Sequence, residues 1–276
     1  MPVTAKEIFR MEKLISGLVI VLAFSVMETS SVEAFADPDV AGIWLFDEDE
    51  GEVATDSSGN GNDGVIMGGV QWTADGKFGG ALEFDGADGW VEVEDDDSVE
   101  FPAGVDFTLA CWLKVTTPEA SPPMIVAKNY QPAEVRPWYA LYYADQAKAA
   151  TGNVSLFLRD DAGTSFHIAS ATNIDDGEWH HVAGTREKGT LRLYVDGVEE
   201  ALMDGADFDV GTNDAPLHFM SHLSRFMGGF LDEVLIVRRS LSADEIGNLM
   251  TDGIDMMLEV SSPGKLPTTW ARIKEQ

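Results

Sequence analysis

The chain has 276 residues, with 48 acidic against 18 basic side chains and a formal net charge of −30. A surface this negative repels nucleic acid and anionic lipid, and favours divalent cations wherever carboxylates cluster. The single cysteine, Cys111, excludes an intramolecular disulfide, and the length suits one all-β domain.

In chain order, the first segment reads as a secretory signal peptide. Lys13 precedes an apolar run from Leu14 to Val26, and Ala34-Phe35-Ala36 supplies a small-x-small cleavage pattern. The run is shorter than the roughly 20 residues a bilayer core requires. Residues 1–36 are therefore expected to be removed on export. The product is a secreted or cell-surface protein without membrane insertion.

Period-two alternation then recurs over residues 38–252. Gly42–Phe46 opens the first strand. DSSGNGNDG, from Asp56 to Gly64, gathers Asp56, Asn60, Asn62 and Asp63 among glycines, and GALEFDG, from Gly80 to Gly86, ends a strand at Asp85. Phe107–Val115 is the longest clear strand; Cys111 shares a face with Phe107, Leu109, Leu113 and Val115, as a small core hydrophobe would. Val154, Leu156 and Leu158 alternate with Ser155, Phe157 and Arg159, and DGEWHHVAG follows from Asp176 to Gly184. In LYVDGV, from Leu193 to Val198, the Asp196-Gly197 pair predicts a tight hairpin that returns Leu191–Val195 onto Val198–Met203.

FLDEVLIV, from Phe230 to Val237, is apolar on both faces. Strict alternation places Phe230, Asp232, Val234 and Ile236 on one side and Leu231, Leu235 and Val237 on the other, as in a central strand buried on both sides. Ser242-Ala-Asp-Glu245 is a capping box that opens a short helix to about Met250, and Gly253 stops it. Residues 253–276 read as a C-terminal tail with a linker at Ser261–Gly264.

These five motifs, in this order over roughly residues 39–250, resemble the LamG-like jellyroll of the concanavalin A-like lectin/glucanase group. The resemblance and the alternation agree on an all-β fold: a two-sheet antiparallel jellyroll sandwich with one short C-terminal helix. Such a fold hosts lectins, adhesion modules and glycosidases alike, so function must be argued from sites.

The first candidate site is a calcium site. A hard cation takes six to eight oxygens, and a Gly-rich loop turns its carbonyls inward easily. A buried lone carboxylate such as Asp232 is costly unless paired, hydrogen-bonded or metal-bound. The resemblance implies a structural calcium near such positions, which makes Asp56, Asp85 and Asp232 the candidate ligands. The alternative is that Asp85 and Asp232 accept backbone N–H groups. Asp95-Asp96-Asp97 reads as a solvated loop.

The second candidate is a carbohydrate surface, which needs aromatic faces and a few polar groups. Trp138 and Tyr142 share one strand face, Tyr139 and Tyr143 the other, and Arg136 precedes them. Trp138, Tyr142 and Arg136 are the candidate ligand contacts, with Lys128 and Asn129 near in sequence. The alternative makes one pair core and the other cross-strand packing. Trp179-His180-His181 cannot chelate one ion from a regular strand, because adjacent side chains point to opposite faces; Trp179 and His181 are expected inside. His167, His218 and His222 have no ligand spacing.

The third candidate, glycoside hydrolysis, needs two carboxyls on one face, about 5–5.5 Å apart in retaining enzymes. Glu92 and Glu94 share a face but lack a third acid at the group's usual spacing. No catalytic residue is assigned. The expected function is a secreted, non-catalytic binding module for a glycan or cell-surface polysaccharide, with calcium as cofactor. An adhesion module with a protein or cell-envelope partner and a glycosidase are the alternatives.

Overall fold

The computed structural model describes residues 39–117, 123–128, 137–143 and 152–254. The expected signal peptide, residues 255–276 of the expected tail, Asn129 and Arg136 lie outside the described residues.

The described strands are, in chain order, β1 (Val40–Trp44), β2 (Val53–Ala54), β3 (Gly64–Met67), β4 (Val70–Thr73), β5 (Ala81–Asp85), β6 (Trp90–Val93), β7 (Phe107–Thr117), β8 (Met124–Lys128), β9 (Trp138–Tyr142), β10 (Ser155–Arg159), β11 (Ser165–Ala169), β12 (His180–Glu187), β13 (Thr190–Val195), β14 (Val198–Met203), β15 (Leu217–Phe219), β16 (Ser221–His222), β17 (Arg225–Phe226) and β18 (Gly228–Val237). One helix, α1 (Ala243–Asp252), follows. The first sheet runs β14-β13-β12-β7-β18-β5-β4, with β1 added to β18; the second runs β11-β10-β9-β8-β15-β6-β3-β2. Every pairing in both sheets is antiparallel. This is the expected two-sheet antiparallel jellyroll sandwich.

Alternation sorts the side chains. Phe107, Leu109, Cys111, Leu113 and Val115 of β7 enter the core between the sheets, facing Val91, Val93, Leu141, Leu156 and Leu158 of the second sheet. Burial pushes the Cys111 thiol far above its ordinary range, as expected of an inert core residue. The helix covers part of the outer face of the first sheet: Ile246 and Leu249 pack with Ile43, Ala110, Ala183, Tyr194 and Leu235. Its capping box forms as read, with Ser242 Oγ accepting from Glu245 N and Glu245 Oε2 from Ser242 N. Asp196 and Gly197 both take positive φ, 49° and 77°, the backbone of a two-residue hairpin turn between β13 and β14.

The strict alternation read for Phe230–Val237 fails at one place. The register of β18 on β7 slips between Asp232 and Leu235, and Glu233 sits at φ 52°. This bulge brings Leu231, Val234 and Ile236 into the inter-sheet core and Leu235 and Val237 into the layer under α1. Asp232 therefore does not share a face with Val234 and Ile236; it pairs with Trp112 on the outer side of the sheet. The bulge lies where β18 leaves β5, its neighbour for residues 228–231, and takes up β1, its neighbour for residues 234–237.

Trp44 of β1 is fully buried, edge-on to Phe219 at 4.9 Å, and its indole N–H donates to Asn62 O at 2.9 Å. It thus ties the two sheets together. Trp44→Ala is expected to cost about 3–5 kcal/mol in guanidinium unfolding, whereas Val198→Ala, at a site 61 % exposed, stays within about 0.5 kcal/mol. Similar midpoints for the two variants contradict this packing.

Candidate functional site

The loop from Asp56 to Gly64 clamps β1. Asp56 is buried, and each of its oxygens takes two hydrogen bonds. Oδ1 accepts from Ile43 N at 3.0 Å and Ser58 N at 2.9 Å; Oδ2 accepts from Ser58 Oγ at 2.7 Å and Asn62 N at 3.0 Å. Asn60 and Asn62 donate their amides to the Val40 and Ala41 carbonyls, and Asp63 accepts from Asp56 N. The carboxylate of Asp56 is already saturated by N–H and O–H donors.

Asp85, at the exposed end of β5, accepts from Ala87 N at 2.8 Å and Asp88 N at 3.2 Å, which holds its carboxyl below the ordinary range. Gly228 faces Asp85 across the ladder, and Asp232 is four residues farther along β18. At about 3.3 Å per residue the two acids are about 13 Å apart, too far to share an ion. The structure thus does not bring Asp56, Asp85 and Asp232 together. Among the described residues no group of three or more His, Cys, Asp or Glu converges on one point.

Asp232 differs from the other two. It is fully buried, and Oδ2 accepts from Lys77 N at 2.7 Å and Phe78 N at 2.9 Å, while Oδ1 has no hydrogen-bond partner. Burial pushes its carboxyl up to about 7, against those backbone hydrogen bonds and with Asp47 adding repulsion. Asp47 caps the same loop, accepting from Gly80 N at 2.6 Å. A buried oxygen without a donor, beside a second carboxylate, suits a hard cation completed by backbone carbonyls and water. Of the three expected ligands, Asp232 alone keeps a buried oxygen without a donor, and Asp47 is a carboxylate whose charge reaches it.

The Trp179-His180-His181 segment is pinned from the turn of the β13–β14 hairpin. His180 Nδ1 lies 2.8 Å from Asp196 Oδ2, and Nε2 lies 3.1 Å from Asp176 Oδ1. Burial opposes its charge, yet the hydrogen bonds and negative charges of these two acids raise its pKa above the ordinary value. His181 and Trp179 do not face the inter-sheet core. His181 is buried on the outer side, edge-on to Trp112 at 5.3 Å, and burial drives its pKa down to about 4; Trp179 is half-buried beside Phe230. The rows His181–Trp112–Asp232 explain the correction, since all three continue the outer face of the first sheet.

Trp138 and Tyr142 share the outer face of the second sheet, while Tyr139 and Tyr143 belong to the inter-sheet core. Both outer residues are nearly covered, at 6 % and 4 % exposure, and Trp138 stacks on Phe157 at 4.4 Å. Cross-strand packing is thus part of their role. Lys128, near them in sequence, points into the core, where its ammonium contacts Asp95 and donates to Asn213 O and Ala215 O, both at 2.9 Å. Asp95, Asp96 and Asp97 are exposed, as expected of a solvated run, and Asp96 also caps the 3-10 turn Asp97–Val99 by accepting from Ser98 N.

The sequence reading missed a pairing on that same outer face. His218, in β15, faces Glu92 of β6, with Nε2 3.1 Å from Glu92 Oε2 and Nδ1 3.2 Å from Ser221 Oγ. The only sequence signal was the alternation Trp90-Val91-Glu92-Val93, which sets Trp90 and Glu92 on one face. Nothing local connects them to residue 218.

The family described as the concanavalin A-like lectin/glucanases superfamily matches residues 85–247. No curated protein matches the chain. Among solved structures, the chain is similar to the binding domain of Paraclostridial Mosquitocidal Protein 1, at 18% identity over 79% of this chain and 53% of that one, TM-score 0.64. It is similar to domain 4 of an extracellular GH43 arabinanase from Geobacillus stearothermophilus, solved with arabinotriose, at 19% identity over 77% of this chain and 98% of that one, TM-score 0.61. The binding domain of botulinum neurotoxin serotype D aligns at 14% identity over 79% and 52%, TM-score 0.59. The chain thus spans about half the length of the toxin domains and nearly all of the arabinanase domain. These likenesses are to binding domains, and they establish the fold.

The His180 geometry sets a pH dependence. A histidine whose folded pKa is raised stabilises fully below its unfolded value of about 6.5, and that contribution fades as pH rises through the folded value. Asp196→Asn should flatten the fall in unfolding free energy across this window, read by urea unfolding between about pH 6 and 8. An unchanged slope contradicts the assignment.

Proposed function

The chain belongs to the concanavalin A-like lectin/glucanases superfamily, and on that premise we propose that it is a secreted, non-catalytic carbohydrate-binding module. One observation carries the reading. The outer face of an antiparallel sheet is ordinarily polar, yet the second sheet carries Trp90, Trp138, Tyr142 and Phe157 on its outer face; the last three are covered, and Trp90, with Phe226 tilted against it, is the partly exposed one. Arg159 and His167 lie on the same face of β10 and β11, beside these rings. Aromatic faces for the C–H surface of a sugar and a few convergent polar groups for its hydroxyls are the components such recognition requires. The arabinanase domain, itself solved with a sugar, lends support to this ligand class.

The binding reading is preferred to catalysis on the geometry of the same face. A retaining glycosidase needs a second carboxyl about 5–5.5 Å from the first. The cross-strand neighbours of Glu92 are Val65 and His218. Extracellular placement follows from the signal peptide read at residues 1–36. No helix among the described residues is long and apolar enough to cross a membrane.

In the same proposal calcium is a structural cofactor held by Asp232 and Asp47. Asp232 and Asp47 would hold such an ion, which would offset their negative charge beside the Lys77–Gly80 loop. Binding at a hundredfold excess over Kd stabilises by about 2.7 kcal/mol, or about 5–10 °C in Tm. The wild type should lose this increment in EGTA. Asp232→Asn and Asp47→Asn should abolish the calcium response, and Asp56→Asn and Asp85→Asn should keep it. A wild type indifferent to EGTA contradicts the calcium assignment, and a response retained in all four variants contradicts these ligands. Affinity electrophoresis against a broad panel of polysaccharides tests the ligand class. Retardation by at least one is expected; retardation by none contradicts it.

A further inference from the structure

We propose that the glycan is neutral, and that it is held at the β3–β6–β15 end of the second sheet by Trp90, Phe226 and Glu92. This rests on the carbohydrate reading above and narrows it.

Register places the residues. Val65 faces Glu92, Glu92 faces His218, and Met67 faces Trp90, all on the outer face, since the intervening Val91 and Val93 enter the core. The β16–β17 hairpin turns back over this corner and lays Phe226 beside Trp90, with ring centroids 5.6 Å apart and planes 30° apart. The two rings pack against each other at a tilt, at the corner of the sheet. Both are partly buried, less covered than Trp138, and Val65, 47 % exposed, and Leu223, 38 % exposed, lie on the same strand face and hairpin. At the other end of the sheet Trp138 is almost covered and already stacked on Phe157. The accessible aromatic surface is therefore at the Trp90 end.

Glu92 supplies the polar edge. Its side chain is 40 % exposed, and its Oε2 is fixed by His218, which is 2 % exposed and held from its other nitrogen by Ser221. A partly exposed carboxylate fixed in this way is a preorganised acceptor for the hydroxyls of a sugar. Such an acceptor discriminates by charge. It accepts hydroxyl donors and repels uronates and sulfates, as does a chain of net charge −30. Arg225, on the hairpin, is in contact with His222, which burial holds neutral with a pKa of about 4, so the guanidinium is the one positive charge the hairpin brings to this corner. An aromatic surface edged by a fixed carboxylate matches one ligand chemistry: a sugar ring that offers C–H bonds on its face, hydroxyls at its rim and no negative charge.

The test is affinity electrophoresis and isothermal titration of the secreted chain with arabinan and β-glucan as neutral probes and with alginate and polygalacturonate as acidic ones. The wild type is expected to bind a neutral probe and neither acidic one. Phe226→Ala, Trp90→Ala and Glu92→Gln should each weaken that binding by about tenfold or more while circular dichroism and Tm stay near wild type. Trp90→Ala alone risks misfolding, and the other two variants keep the test decisive in that event. Wild-type affinity in folded Phe226→Ala and Glu92→Gln overturns this site and leaves the carbohydrate reading standing. Binding confined to the acidic probes overturns the ligand class. A wild type that binds no glycan, or binds only a protein partner, overturns both readings.

Discussion

The slip in β18 is the constraint on which the rest depends. That strand has one neighbour throughout, β7, and exchanges the other, from β5 to β1, within a few residues. The slip coincides with the change of partner, and the buried backbone groups at such a break must still find hydrogen-bond partners. The left-handed Glu233 makes the kink, and its neighbours then serve the chain at the break. Asp232 accepts the N–H groups of Lys77 and Phe78 just ahead of β5, and Glu233 accepts from Ile254 N just beyond α1. A buried, incompletely partnered carboxylate is destabilising in isolation. Here it lies where three strands and a loop are joined, and any cation it captures reinforces that junction.

The two sheets differ in what covers them, and the proposed ligand site follows from that difference. The first sheet has α1 packed on its outer side, and Asp232, Trp112 and His181 are buried there as well. The second sheet instead carries aromatic side chains outward. At one end they pack on one another, Trp138 on Phe157 and Phe157 on His167. At the other, Trp90 and Phe226 stay partly exposed beside a carboxylate that His218 holds in place. One face therefore combines a packed aromatic end, which stiffens the sheet, with an open one suited to a ligand.

The sequence disclosed the architecture well because alternation and turn chemistry are local. Phe107–Val115, the Asp196-Gly197 hairpin and the Ser242 capping box formed as read, each specified within about ten residues. The site was less legible because its partners are remote. Glu92 and His218 meet across β6 and β15, 126 residues apart. The bulge at Glu233 inverted the expected face of Asp232, and an Asp-Glu pair within an apolar run carries no signal for a left-handed residue. Asp56 had the right chemistry for a cation and proved saturated by N–H and O–H donors, a fact of loop geometry that composition does not encode. Lys128 is near Trp138 in sequence, yet its ammonium turns inward to Asp95, Asn213 O and Ala215 O.

The central claim is that the ligand lies on the outer face of the second sheet, at its Trp90 end. Backbone hydrogen exchange, measured with and without the polysaccharide that binds best, tests it most directly. The account predicts slowed exchange in β3, β6, β15 and the Ser221–Phe226 hairpin, with β12, β13 and β14 unchanged. Protection confined to the first sheet or to α1, with the hairpin unaffected, would contradict it.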